Sequence, residues 1–137
     1  MKRQGFSLIE MLVVLAILGI LMGIATPNYF RWRASTAVKQ AAVQLAQDIN
    51  RQRSEARRSN SAKEVIVGST SYSLDGVSQS LPNTISLQAD NSTPVRFEPP
   101  YGTTTSALRS FTVSWASNPA ISRTVRVVGV TGKVIVQ

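Results

Sequence analysis

Chemistry in this chain has few side chains to draw on. Its 137 residues include no histidine and no cysteine, which removes the commonest general base, the commonest metal ligand and the thiol nucleophile together. Serine and threonine are plentiful, but without those partners a hydrolytic constellation needs a Ser–Lys pair, and no motif marks one. The carboxylates Glu64, Asp75, Asp90 and Glu98 are scattered over turns and strands. A calcium loop is conceivable at Asp90-Asn91, yet the ligand spacing there is not diagnostic, and such residues more often form turns. The expectation is no enzymatic activity, no cofactor and no metal. Two features remain that could do chemistry: one carboxylate, Glu10, inside an apolar run, and an excess of cations over anions.

Glu10 is the sharper of the two. From residue 6 to residue 30 it is the only charge, and residues 11–25 read MLVVLAILGILMGIA. At about 1.5 Å per residue, positions 6–30 span roughly 37 Å, enough to cross a hydrocarbon core of about 30 Å. A carboxylate at that depth is unfavourable by about 2–4 kcal/mol or more and usually has a partner. A plain membrane anchor therefore leaves Glu10 unexplained. A secretory signal peptide fits no better. The run outlasts the usual apolar region of about 7–15 residues, and no A-x-A site stands near Ala25. A cut between Gly5 and Phe6 removes the anomaly. The new amine on Phe6 would lie one helical turn from Glu10, whose charge would then sit in the first turn and complement the helix dipole. It could also meet the terminal amine of a neighbouring molecule. Residues 1–5 would be a hydrophilic leader held in the cytoplasm by Lys2 and Arg3.

The remaining sequence must position this segment. Residues 31–58 read as an amphipathic helix, with Val38, Ala41, Ala42, Leu45, Ile49 and Ala56 recurring at three- and four-residue spacing. Lys39, Gln40, Gln44, Gln47, Asp48, Arg51 and Glu55 occupy the opposite face, and Ser59-Asn60-Ser61 breaks the pattern. Beyond it, β-branched runs at 64–68, 71–74, 84–89, 95–98, 110–116, 121–129 and 133–136 alternate with turn signals such as Asp75-Gly76, Asn118-Pro119 and Thr131-Gly132. The expected order is a leader at 1–5, a helix at 6–58 with 6–30 in the membrane and 31–58 amphipathic, and an antiparallel β head at 59–137.

The stretch GFSLIEMLVVLAILGILMGIATP closely resembles the class III signal and N-terminal helix of type IV pilins and type II secretion pseudopilins. The resemblance implies an α+β pilin fold, a long N-terminal helix packed on a C-terminal antiparallel sheet. It also implies cleavage between Gly5 and Phe6 by a prepilin peptidase, N-methylation of Phe6, and assembly roles for Glu10 and for the helix-kinking Pro27. Gly19, Gly23 and Pro27 together make residues 19–27 a stretch of weak helix propensity. In the head, VRFEPPYGTTTS and TVRVVGVTGKVIV resemble GspH/FimT-type minor pilins and pseudopilins. The partners implied are other pilin or pseudopilin subunits, in a homo- or hetero-filament, and an inner-membrane assembly platform driven by a cytoplasmic ATPase. Lipid would surround the helix before assembly. The implied location is the inner membrane, single-pass with the head outside the cytoplasm, and afterwards a periplasmic pseudopilus or a surface pilus. A type IV pilus and a secretion pseudopilus remain equally open.

The cations carry a different hypothesis. Lys and Arg number 15 against 7 Asp and Glu, a net charge of +8; that balance permits binding to phosphates. The alternative function is therefore a DNA-binding minor pilin acting in natural transformation, with Arg109, Arg123, Arg126 and Lys133 as candidate contacts. Arg123 and Arg126 are an odd number of positions apart, so on one strand they point to opposite faces. Arg51, Arg53, Arg57 and Arg58 form the densest cluster, on a helix face of the kind that is usually just solvated.

Overall fold

The computed structural model describes residues 7–91, 94–105 and 107–137. The chain divides into two compact units, Met1–Arg33 and Ala34–Gln137, and the helix α1, Leu8–Ser59, contributes to both. In the first unit α1 is apolar, and all its residues are exposed. The helix continues through Gly19, Gly23 and Pro27. Pro27 has no N–H to donate, and Thr26 adds a bond of its own, its hydroxyl donating to the Met22 carbonyl at 2.7 Å.

In the second unit α1 turns amphipathic. It buries Ala34, Val38, Ala41, Ala42, Leu45, Ala46, Ile49 and Ala56, a stripe of mostly small residues that lets the sheets approach closely. The helix ends where Asn60 adopts a left-handed conformation, φ 49°.

Among the described residues eight strands follow, all paired antiparallel: β1 (Lys63–Val67), β2 (Ser71–Leu74), β3 (Val77–Ser80), β4 (Ile85–Ala89), β5 (Val95–Phe97), β6 (Arg109–Trp115), β7 (Asn118–Val127) and β8 (Val134–Val136). They form two four-stranded sheets ordered β3-β2-β1-β5 and β4-β6-β7-β8. The inward residues of both, Val65, Tyr72, Leu87, Phe97, Phe111, Val113 and Val125 among them, join the helix stripe in one core. Among the described residues the large side chains fully buried include Tyr72, Phe97, Phe111, Leu45 and Ile49. Each contributes about 1.5–3 kcal/mol by leaving water, which outweighs any single polar contact in the head. The hydroxyl of Tyr72 donates to Asp48 at 2.6 Å and ties the first sheet to α1. Burial, reinforced by that bond, pushes the phenol above its ordinary pKa.

Two local expectations are corrected. β3 was not among the expected strands; it forms because Asp75 and Gly76 both take positive φ, 51° and 85°, which closes a tight hairpin after β2. The turn signal at Asn118-Pro119 is overridden: Trp115 pairs with Asn118, so the hairpin closes through Ala116 and Ser117, and β7 begins at Asn118.

Candidate assembly surface

Among the described residues, none of the N-terminal unit is buried. Leu8, Ile20, Met22 and Ile24 are among the exposed large apolar residues, so the helix is apolar all round and needs lipid or other helices to cover it. Glu10 lies in the first turn, its backbone N–H accepted by the Ser7 carbonyl at 3.0 Å, and its carboxylate has no partner among the described residues. Gly5 and Phe6, the expected cleavage and methylation positions, lie outside the described residues. A Cβ built at Gly19 or Gly23 would meet nothing within 4 Å. These two small positions, one turn apart, leave a notch into which another helix can pack closely.

In the head, the two stretches resembling GspH/FimT proteins converge on the helix. Gly102 and Gly132 have φ of 63° and 64°, a left-handed backbone that glycine adopts readily. A Cβ at Gly102 would stand 2.9 Å from both the Cγ and the carbonyl oxygen of Arg53. One at Gly132 would stand 2.8 Å from the Gly102 carbonyl oxygen and 3.1 Å from the Phe97 ring. Arg53 Nε donates to that Gly102 carbonyl at 3.1 Å, and Thr104 bridges to Val130. Sequence reasoning missed Arg53 as the residue that positions both loops. The signal was two glycines, each in a turn, whose stretches belong to one motif.

The four candidate DNA contacts do not form one patch. Arg109 shares the inward register of Phe111 and Val113 on β6 and is only 4% exposed. Its guanidinium donates to Asp90 at 2.8 Å and to the Asn91 carbonyl at 2.9 Å, and lies 5.8 Å from the centre of the Phe111 ring. Its charge is committed inside the head. Asp90 accepts from Arg109 on one oxygen and from the Ser110 N–H on the other. Burial opposes the Asp90 charge, but these bonds outweigh it and hold the carboxyl below its ordinary pKa. With both oxygens engaged, Asp90 belongs to a salt-bridged turn rather than to a calcium loop.

Arg123, Arg126 and Lys133 are exposed. Arg126 pairs with Ile135 across β7 and β8, and the Val128 N–H donates to the Lys133 carbonyl at 2.8 Å, which extends that ladder. Alternation therefore sets Arg126 and Lys133 on one face, while Arg123 shares the register of the buried Val125 and Val127.

Residues 1–26 match the prokaryotic N-terminal methylation motif. The chain is 47% identical over 60 residues to the pilin-like protein PilA1 of Thermus thermophilus, covering 44% of this chain and 37% of that one. It is 41% identical over 44 residues to the type IV major pilin protein PilA of Myxococcus xanthus, covering 32% and 20%. A fimbrial protein of Pseudomonas aeruginosa is 47% identical over 47 residues, covering 34% and 30%. The chain thus spans at most 37% of the length of these relatives. Over 72% of this chain the fold is similar to the crystal structure of the type IV minor pilin FimU of Pseudomonas aeruginosa, with a TM-score of 0.57 at 15% identity over 91% of that chain. The chain is thus similar to pilins at both ends, through a methylation motif at its N-terminus and a head whose fold is similar to that of a minor pilin.

Proposed function

We propose that the chain is a minor pilin or pseudopilin subunit, cut between Gly5 and Phe6 by a prepilin peptidase and methylated on Phe6. It then assembles through its apolar helix into a type IV pilus or a type II secretion pseudopilus, near the tip or as an assembly primer. One observation carries this reading: an exposed, all-round apolar helix with a single unpartnered carboxylate in its first turn, continuous in sequence with a head that is already closed around its own core. Such a helix leaves lipid only by burying its surface against similar helices, at about 25 cal/mol per Å². Glu10 sets the register by meeting the amine of a neighbouring Phe6. The subunit does interaction chemistry, not catalysis; the work of extraction comes from a cytoplasmic ATPase acting through an inner-membrane platform. Mass spectrometry of purified filaments tests the processing step. A methylated N-terminal Phe6 is expected, and intact Met1 in functional filaments would refute it.

DNA capture is the second reading, supported by Arg126 and Lys133 on one exposed face of the head. It is tested by salt-dependent mobility shift with the full chain in detergent. Binding is expected to weaken when both are replaced by alanine, and equal binding by the double variant removes the reading.

A further inference from the structure

One sheet edge in the head is left open. Among the described residues β3 is the outer strand of its sheet, bonded only to β2, and all four of its residues are exposed. Along the ladder from the Asp75-Gly76 turn, inward and outward backbone groups alternate, so Ser78 and Ser80 turn their N–H and C=O groups to the open side. Exposed edges are normally blunted by charge, proline or cover. The other three edges of the head are. β5 carries Arg96, paired with Glu98 at 2.6 Å, and runs into Pro99-Pro100. β4 is covered where the Leu87 N–H donates to the Ser69 carbonyl at 2.7 Å. β8 is three residues long and begins directly after Lys133. β3 reads VSQS, with no charge and no proline.

A groove of about 370 Å³ lies between this edge and α1. The helix supplies Arg51, Gln52, Glu55 and Arg58, and the sheet supplies Leu74 and Val77. Arg58 is paired with Glu55 at 2.9 Å. Two cations against one anion leave the groove net positive, with Arg51 making no ion pair among the described residues. The Gln52 Oε1 is buried without a hydrogen-bond partner. A strand added beside β3 would bring alternate side chains over this groove.

We propose that β3 is an acceptor edge for an extended acidic segment of a different subunit, which adds a strand to the sheet and sets its carboxylates against Arg51. Only the source of that segment rests on the assembly reading. A second copy is the wrong occupant by charge: the chain is strongly basic, and pairing β3 with itself crowds two sets of Arg51 and Arg58 together.

The test uses the full chain in detergent and two fluorescent peptides of roughly nine residues, one alternating valine with aspartate and one alternating valine with lysine. The acidic peptide is expected to bind about tenfold or more tightly than the basic one and to slow hydrogen exchange at the Ser78 and Ser80 amides. Ser78→Pro removes an N–H that β2 does not use and should abolish binding. Arg51→Glu, a surface change that leaves the ladder intact, should reverse the charge preference. Several results would overturn the proposal: no binding of the acidic peptide, equal binding of the two peptides, binding unaffected by both variants, or self-association of the chain that Ser78→Pro removes. The assembly reading fails separately, through an unmethylated Phe6 or Glu10-independent filaments, neither of which bears on β3.

Discussion

The two halves of α1 solve opposite problems with the same secondary structure. Up to Phe30 the helix is apolar on every side apart from Glu10, and through Arg33 none of its residues is buried. From Ala34 onward it narrows to a stripe, and that stripe alone is buried. The head therefore satisfies its hydrophobic surface internally, whereas the N-terminal segment leaves its surface to the environment. If the apolar segment is the proposed assembly surface, substitutions there should abolish filaments without touching the fold, and substitutions in the core of the head should lower its stability.

On the proposed assembly reading, the largest expected effect on filaments is that of Glu10→Ala, which removes the only charge between residues 8 and 30. Filament yield should fall about tenfold or more, with membrane insertion and the head's thermal transition unchanged; a shifted transition would break the division. Next is Phe97→Ala, the loss of a fully buried ring, which should destabilise the head by about 3–5 kcal/mol in denaturant titrations. Gly102→Ala forces a Cβ against Arg53 on a left-handed backbone and should destabilise by about 1–3 kcal/mol, with Arg53→Ala relieving part of the clash. Asp90→Asn gives a smaller, pH-dependent effect. The Asp90 pKa is lowered on folding, so its contribution is present above the ordinary carboxylate pKa of about 3.9 and is lost as pH falls through the lower folded value. The variant should flatten that acid limb of the stability curve. Smallest is Arg58→Ala, which breaks an exposed pair with Glu55 and should leave the head's melting curve unchanged.

Much of this was legible before any coordinates, and the failures have physical causes. Helical spacing alone identified Val38, Ala41, Ala42, Leu45, Ile49 and Ala56 as inward, because burial there is set by period. It passed over Ala34 and Ala46, small residues whose burial depends on what packs above them. β2 emerged with its observed limits, since it alternates inward and outward. β3 did not, because an unburied edge strand imposes no apolar pattern on its residues. Arg109 looked like a surface cation; only its register beside Phe111 shows that it faces inward. The Arg53 contact was invisible for a different reason. It joins positions 49 residues apart, and nothing local to either announces the other.

That last contact has an evolutionary consequence. Gly102, Gly132 and the Arg53 side chain occupy one space so tightly that none can enlarge unless another gives way. Mutational drift at these three positions should then be correlated. Homologues carrying a larger residue at position 102 should carry a shorter one at position 53, a covariation readable in an alignment and traceable to the close approach of the Arg53 stem to that loop.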